Sequence, residues 1–360
     1  MNNRNFIKVA GSNSHIFFDD IISLENLFSS WNEFKRGKEK RIDVQEFTLN
    51  LEDNIFDLNK KLSSGKYQHS NYISFYICDP KLRHINKATI SDRVVHHALM
   101  RIIEPVFERI FIFDSYSSRK SKGTHRAISR FKKFAWKLSH NNTKAVWVLK
   151  CDVRKFFNSV NHDILCRLIR DKVDDKKTII LIENIICSFQ NEKCCGIPLG
   201  NVTSQLFSNI YLNELDQFIK HVLKVKYYIR YVDDFVILSR DEKYLYDALS
   251  KIDKFLHAKL RLFLHDRKVS IRQWHKGVDF LGYIIFPHHT VIRTRTKKRI
   301  LKRIREKQYQ MILGSVSEDS FRETLQSYFG VLHHCRSRQV KKDMEAIILI
   351  LSTYSLHYLV

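Results

Sequence analysis

The chain is 360 residues long, with 62 Lys and Arg against 38 Asp and Glu, a formal net charge of +24. That balance excludes an acidic, halophile-type surface and a purely sugar-handling one. It favours a polyanionic partner, because each neutralised phosphate releases a counterion. With 44% hydrophobic and 12% aromatic residues there is material for a real core, and only 10 Gly and 4 Pro exclude collagen-like or Pro-rich linker architectures.

The seven cysteines (78, 151, 166, 187, 194, 195 and 335) form no CxxC pair and no His/Cys cluster at zinc spacing. An odd count in a chain this long argues against a secreted disulfide scaffold. The amino terminus lacks the unbroken apolar stretch of a signal peptide, and no window reaches the ~20 apolar residues of a membrane helix. The nearest, Ala346–Val360, is interrupted by Ser352, Thr353, Ser355 and His357, and reads as a buried terminal helix. A soluble protein of the reducing cytoplasm, with no membrane partner, is expected.

From Val44 to Leu62 apolar residues recur at helical spacing and stop at Ser63-Ser64-Gly65, which predicts one amphipathic helix. The alternating stretch after Tyr67 ends in basic residues, and VVHHALMRIIEPVFERIF reads as a long helix. Ala145–Leu149 is a compact β-type run that stops just before Asp152. A helical middle spans His162–Phe189. YYIRY and FVILS are β-runs separated only by Val232-Asp233-Asp234, and Phe280–Phe286 is another short β-type segment. β-runs mixed with long helices predict the α+β class. Arg293–Lys307 carries nine basic residues and one acid, with Ile300, Leu301 and Ile304 inward, so a helix with one cationic side is expected. Read alone, that side is a solvated face or a phosphate-tracking surface; the charge of the whole chain favours the second.

Asp233 and Asp234 are adjacent in a tight turn between apolar strands. Alone, they fit an ordinary hairpin turn. Asp152, however, is a second carboxylate delivered by the end of a strand. Like charges brought together repel and desolvate badly without a counter-charge. Mg²⁺ supplies one economically, since it takes one or two carboxylates plus substrate phosphates. Two such ions about 3.5–4 Å apart stabilise the attacking and leaving oxygens of an in-line phosphoryl transfer.

In order along the chain, KLRHINKATISDRVVHHAL (Lys81–Leu99), SYSSRKSKGTHRAI (Ser115–Ile128), LKCDVRKFFNSV (Leu149–Val160), IPLGNVTSQLFSNIYLNELD (Ile197–Asp216), YIRYVDDFVIL, LFLHDRKVSI and FLGYIIF resemble the motifs of the reverse transcriptases. The resemblance runs from about Tyr67 to Tyr283 and, more loosely, to the end. Where most of that family has Gln before the glycine of the fourth motif and Pro after its serine, this chain has Leu199 and Gln205. That form is most similar to the reverse transcriptases of diversity-generating retroelements, which copy a template RNA with errors at adenines to vary a target gene. Related bacterial enzymes of phage defence, retrons or group II introns are the second reading, and a non-catalytic RNA-binding scaffold the third.

The resemblance implies a right-hand polymerase: residues 1–60 as an amino-terminal segment and first finger helix, 61–290 as interleaved fingers and palm, and 291–360 as a basic helical thumb. It implies that Asp152, Asp233 and Asp234, with the Val153 carbonyl, hold two Mg²⁺ ions (Mn²⁺ being an alternative). Phe157 would be the steric gate against a ribose 2′-hydroxyl, although a plain core Phe is the other reading. Arg83, assisted by Lys81, would contact the triphosphate, while Leu199, Gly200 and Gln205 line the nucleotide and template pocket. Lys268 matches the lysine that protonates departing pyrophosphate, or is a surface lysine. Arg119, Arg293, Arg295, Lys297, Lys298, Arg299, Lys302 and Arg303 would touch template or product. Expected partners are template RNA, the cDNA–primer duplex, dNTPs and a small basic accessory protein that assembles as a ring.

Overall fold

The computed structural model describes residues 17–78, 82–189 and 194–355, residues 349–355 as main chain only. The chain divides into two interleaved compact units. One comprises Met1–Ile112, Arg154–Gln217 and Leu256–Leu262; the other comprises Phe113–Val153, Phe218–Phe255 and Phe263–Val360.

The first unit opens with α1 (Phe18–Ile22) and α2 (Leu24–Lys35). The single helix expected over Val44–Leu62 is two, α3 (Ile42–Leu49) and α4 (Leu51–Ser63), because Asn50 adopts φ −119° and ψ 41° between them. The alternating stretch forms an antiparallel pair, β1 (Ile73–Ile77) and β2 (Arg83–Lys87), with Ile73 opposite Lys87. The Thr89 side chain then accepts from the Asp92 amide and starts α5 (Ile90–Glu108). Asp92 is itself buried and accepts from the Tyr67 hydroxyl at 2.7 Å and the Thr89 hydroxyl at 2.6 Å, so a carboxylate inside the fold is satisfied.

The chain then enters the second unit with α6 (Thr124–Leu138) and β3 (Trp147–Asp152). It returns to the first for α7 (Phe156–Ser159), α8 (His162–Arg170), α9 (Lys176–Cys187) and α10 (Val202–Gln217), so the expected helical middle is broken between Arg170 and Lys176. Helix α10 is buried nearly all round, and α5 packs against α1, α2 and α10.

The strands β4 (Tyr228–Tyr231) and β5 (Asp234–Ser239) follow, then α11 (Glu242–Leu260) and β6 (Ser270–Gln273). The run expected as one strand near Phe280 is a hairpin, β7 (Val278–Phe280) and β8 (Tyr283–Ile285), turning at Leu281-Gly282, where both φ values are positive. β9 (Thr290–Ile292) and three helices end the chain: α12 (Thr294–Ile312), α13 (Glu318–His333) and α14 (Arg338–Ser355).

The second unit is built on a four-stranded antiparallel sheet of order β4-β5-β3-β6 and a three-stranded meander β7-β8-β9. Val148, Val236 and Leu238 pack against Ile128, Phe131 and Phe134 of α6 and against Phe280 and Ile285 of the meander. The alternate residues Leu149, Phe235 and Ile237 are buried as well, so the central strands read as apolar runs instead of alternating. Helices α12–α14 enclose a separate core around Ile300, Ile304, Phe321, Leu332 and Met344. Among the described residues no helix is long and apolar enough to cross a membrane.

Candidate active site

At one end of the four-stranded sheet the ladder brings three acids together. Asp152, last residue of β3, stands directly opposite Asp234, first residue of β5. Asp233 is in the two-residue turn between β4 and β5, where Tyr231 pairs with Asp234. The turn's other residue, Val232, has φ +52°, a conformation that hairpin turns normally give to Gly or Asn and that costs a β-branched residue about 1–3 kcal/mol.

Neighbouring groups hold this turn in place. The Val153 amide donates to the Asp233 carbonyl at 3.2 Å, and Nη1 of Arg230 donates to the Val232 carbonyl at 3.2 Å. Arg230 is fully buried, and its own main chain is fixed on both sides: its amide donates to the Asp114 carbonyl at 3.0 Å, and its carbonyl accepts from the Tyr116 amide at 2.9 Å. Sequence reasoning missed Arg230. The available signal was an arginine inside the otherwise apolar β-run YYIRY.

Two of the acids, Asp233 and Asp234, have a raised proton affinity. Burial, then the charges of Asp152 and Asp234, push Asp233 up to about 6. Burial also raises Asp234; the Lys150 ammonium opposes the rise, and Asp152 adds to it through its charge and a side-chain hydrogen bond. One cation is already present: Nζ of Lys268 donates to Oδ1 of Asp152 at 2.5 Å. The segment that carries Lys268 is tied to β3, because the His265 amide donates to the Asp152 carbonyl at 2.8 Å and Val153 bridges Leu264.

Among the described residues no three His, Cys, Asp or Glu side chains are gathered tightly enough to bind a metal by themselves. Asp152 and Asp234, opposite one another across β3 and β5, are nevertheless the kind of donors that suit Mg²⁺, a hard cation that takes one or two carboxylates and completes its shell with water and substrate phosphates.

The structure thus brings Asp152, Val153, Asp233, Asp234 and Lys268 together in the second unit. In the first unit, Arg83 is exposed on β2, and the Phe157 carbonyl accepts from the Ile197 amide at 2.8 Å. The Leu199 carbonyl accepts from the Asn86 amide at 3.3 Å, which brings the loop before α10 onto β2. Gly200 follows at φ +119°, and a Cβ there would sit 3.4 Å from Ile85 Cγ2, so glycine permits the approach. Gln205 is exposed on the first turns of α10. Lys81 lies outside the described residues. Arg119 donates to the Ser115 carbonyl at 2.9 Å. Of the cations around α12, Arg293 pairs with Asp279 and Lys297 with Asp343 at 2.8 Å. Arg295, Lys298, Arg299, Lys302 and Arg303 are exposed.

Comparison with known proteins decides the family. Residues 78–285, more than half of the chain, match the reverse transcriptase (RNA-dependent DNA polymerase) family. This chain belongs to the reverse transcriptases. The reverse transcriptase is 28% identical to protein YkfC of Escherichia coli over 67% of this chain and 71% of that one. It is 25% identical to the group II intron-encoded protein LtrA of Lactococcus lactis over 65% of this chain, and it spans half of LtrA's length. Among solved structures, apo telomerase from Candida tropicalis aligns over 83% of this chain and 66% of its own, with 13% identity and a TM-score of 0.49. The mixed helical and antiparallel-sheet architecture is that of a right-hand polymerase.

Proposed function

We propose that this reverse transcriptase copies a retroelement template RNA into cDNA, with errors concentrated at template adenines, so that a target gene is diversified. The observation that carries the polymerase part is the convergence of Asp152, Asp233 and Asp234 at one sheet end, beside Lys268. In this reading the three carboxylates and the Val153 carbonyl hold Mg²⁺ or Mn²⁺. Two such ions, when bound, stabilise the attacking and leaving oxygens of phosphoryl transfer. Lys268 gives a proton to the departing pyrophosphate. Lys81 and Arg83 clamp the triphosphate, an Arg fork suiting phosphate geometry. Phe157 excludes a 2′-hydroxyl, and Leu199, Gly200 and Gln205 face the nucleotide and template. Arg119 and the cations of α12 hold the template–product duplex through its backbone, which makes affinity tolerant of sequence and sensitive to salt.

The diversity-generating part rests on Leu199 and Gln205 in the motif LGNVTSQ. A second reading, an intron-type or related bacterial reverse transcriptase, is supported by the similarity to LtrA. In the first reading the partners include a small basic ring-forming accessory protein, and the compartment is the cytoplasm. The division 1–60, 61–290 and 291–360 serves as amino-terminal segment, fingers with palm, and thumb.

Primer extension on an RNA template with dNTPs and Mg²⁺, beside Asp233→Asn, tests both parts. Extension that the substitution abolishes is the expected result, with product errors clustered opposite template adenines. Faithful products favour the intron-type reading. Absence of DNA from the wild-type chain, with RNA still bound, leaves a non-catalytic scaffold.

A further inference from the structure

A half-open cavity of about 140 Å³ in the first unit is lined by Lys38, Arg93, His96 and His97, together with Asn201 and Gln205 near the start of α10. No carboxylate lines it. The ring of Phe34 organises the two permanent cations: the Lys38 ammonium is 4.7 Å from its centroid and the Arg93 guanidinium 5.6 Å. Lys38 also donates to the Phe34 carbonyl. Three acids stand outside the lining: Glu33 is shared between Arg101 and Nδ1 of His97, the latter at 3.8 Å, while the charge of Glu39 acts on Lys38 and that of Asp43 on Arg93, each more weakly than the burial and neighbouring cations that oppose it. Burial, then the charges of Arg93 and Arg41, pull the Lys38 pKa down, and burial with Arg41 does the same to Arg93. Cations held this close to one another favour an anion between them.

Polar atoms without partners point the same way. Arg93 Nε, His96 Nε2 and Asn201 Oδ1 are buried with no hydrogen bond, and His96 is only 1% exposed. An unmade hydrogen bond of this kind costs about 1–3 kcal/mol unless a ligand completes it. Nδ1 of His96 lies 3.4 Å from the Thr203 hydroxyl, which can donate to it and leave an Nε2–H for a ligand. Nδ2 of Asn201 is 3.4 Å from the Tyr72 hydroxyl. That hydroxyl donates or accepts, so exchanging the amide N and O keeps this contact and turns the unpartnered atom into a donor. The start of the 16-residue α10 adds the positive end of its dipole.

We propose that this cavity binds a phosphoryl group, supplied by the backbone of single-stranded nucleic acid or by a free phosphate compound. The proposal deepens the polymerase reading, which already turns Gly200 and Gln205 of this lining toward nucleotide and template, and it takes its chemistry from Lys38, Arg93, His96 and Asn201.

The test uses the full chain without divalent metal, a labelled single-stranded RNA, inorganic pyrophosphate, and the variants Lys38→Gln, Arg93→Lys and the double Lys38→Gln/Arg93→Gln. The double variant should bind RNA about tenfold more weakly. Its salt dependence should also fall by roughly 0.7 to 1.4 logarithmic units per decade of salt, the share of one or two phosphates. Arg93→Lys, which keeps the charge and loses Nε, should fall between. Lys38 is half-exposed, so Lys38→Gln is read even where an Arg93 variant does not fold. A pyrophosphate-dependent rise in wild-type Tm that the double variant lacks assigns the site to free phosphate compounds. Loss of RNA affinity without that rise assigns it to the nucleic-acid backbone. RNA affinity, salt slope and pyrophosphate response all unchanged in every folded variant would overturn the proposal. Primer extension by the wild type is read in parallel: its failure with RNA binding still sensitive to Lys38 overturns the polymerase reading alone.

Discussion

At the scale of single residues, the acidic end of the sheet is electrostatically uncomfortable, and that discomfort is measurable. Asp233 is pushed up to about 6 by burial and by two neighbouring carboxylates. Asp233→Asn removes one charge from the group and should raise stability at neutral pH in metal-free buffer, by on the order of 1 kcal/mol, while abolishing extension. Thermal unfolding beside primer extension checks both; a variant that is less stable than wild type would show that Asp233 is not repelled. Arg230 should behave in the opposite way. Arg230 is fully buried, so Arg230→Met leaves the Val232 carbonyl without its donor and should cost about 1–3 kcal/mol. Arg230→Lys should recover part of the stability but less of the activity, because an ammonium on a flexible stem does not take the place of the planar guanidinium that donates to the Val232 carbonyl. Asp152, Asp233 and Asp234 were legible in the sequence because strands deliver carboxylates at fixed places. The Asp152–Lys268 contact rests on tertiary pairing of the segment after Leu262, and the main chain of Arg230 is fixed by its bridge to Ser115, neither of which local pattern reveals.

Elements tell a similar story about reach. The strands β3, β4 and β5 and the helices α5 and α12 stand close to where the pattern of the sequence puts them, since each sets buried apolar side chains within the run that marks it. Boundaries set by one backbone conformation were not legible: Asn50 divides α3 from α4, and Leu281-Gly282 folds one apparent strand into β7 and β8. Just before that hairpin, Gly277 has φ +80°, and a Cβ would meet Phe286 Cε1 at 2.6 Å and Ile284 Cγ2 at 2.8 Å. Gly277→Ala should therefore destabilise the meander by about 1–3 kcal/mol, read as a lower Tm; an unchanged Tm would mean the ring of Phe286 yields freely. Helix α5 carries a pH dependence. Burial first, then the charges of His69, His97 and Arg93, hold the proton affinity of His96 well below 6.5. The unfolded ring takes up a proton that the folded ring refuses, so stability is full above pH 6.5 and falls as pH drops through and below it. The slope approaches about 1.4 kcal/mol per pH unit for one such group. His96→Phe should flatten the loss of Tm between pH 7.5 and 5.5, with His97 and His125, also lowered by burial, contributing to what remains.

For the whole molecule, a net charge of +24 predicts nucleic-acid binding but does not say which cations do it. Around α12 the structure separates them. Arg293 and Lys297 are engaged by Asp279 and Asp343, whereas Arg295 and Lys298 are exposed. Substituting the first pair should act mainly on the packing of α12 against its neighbours, hence on Tm. Arg295→Glu/Lys298→Glu should act on binding, because a contact that neutralises a phosphate shows itself in salt. Each such contact on a duplex contributes about 0.9 to the slope of log affinity against log salt. The double variant should thus lose roughly 2 from the slope for an RNA–DNA duplex, bind at least tenfold more weakly at low salt, and converge on wild type near 1 M, where screening is nearly complete. Fluorescence anisotropy across a salt series reads the slope directly. A slope equal to wild type, with weaker binding at every salt concentration, would assign the loss to packing, and the cationic side of α12 would then be a solvated face despite the charge of the chain.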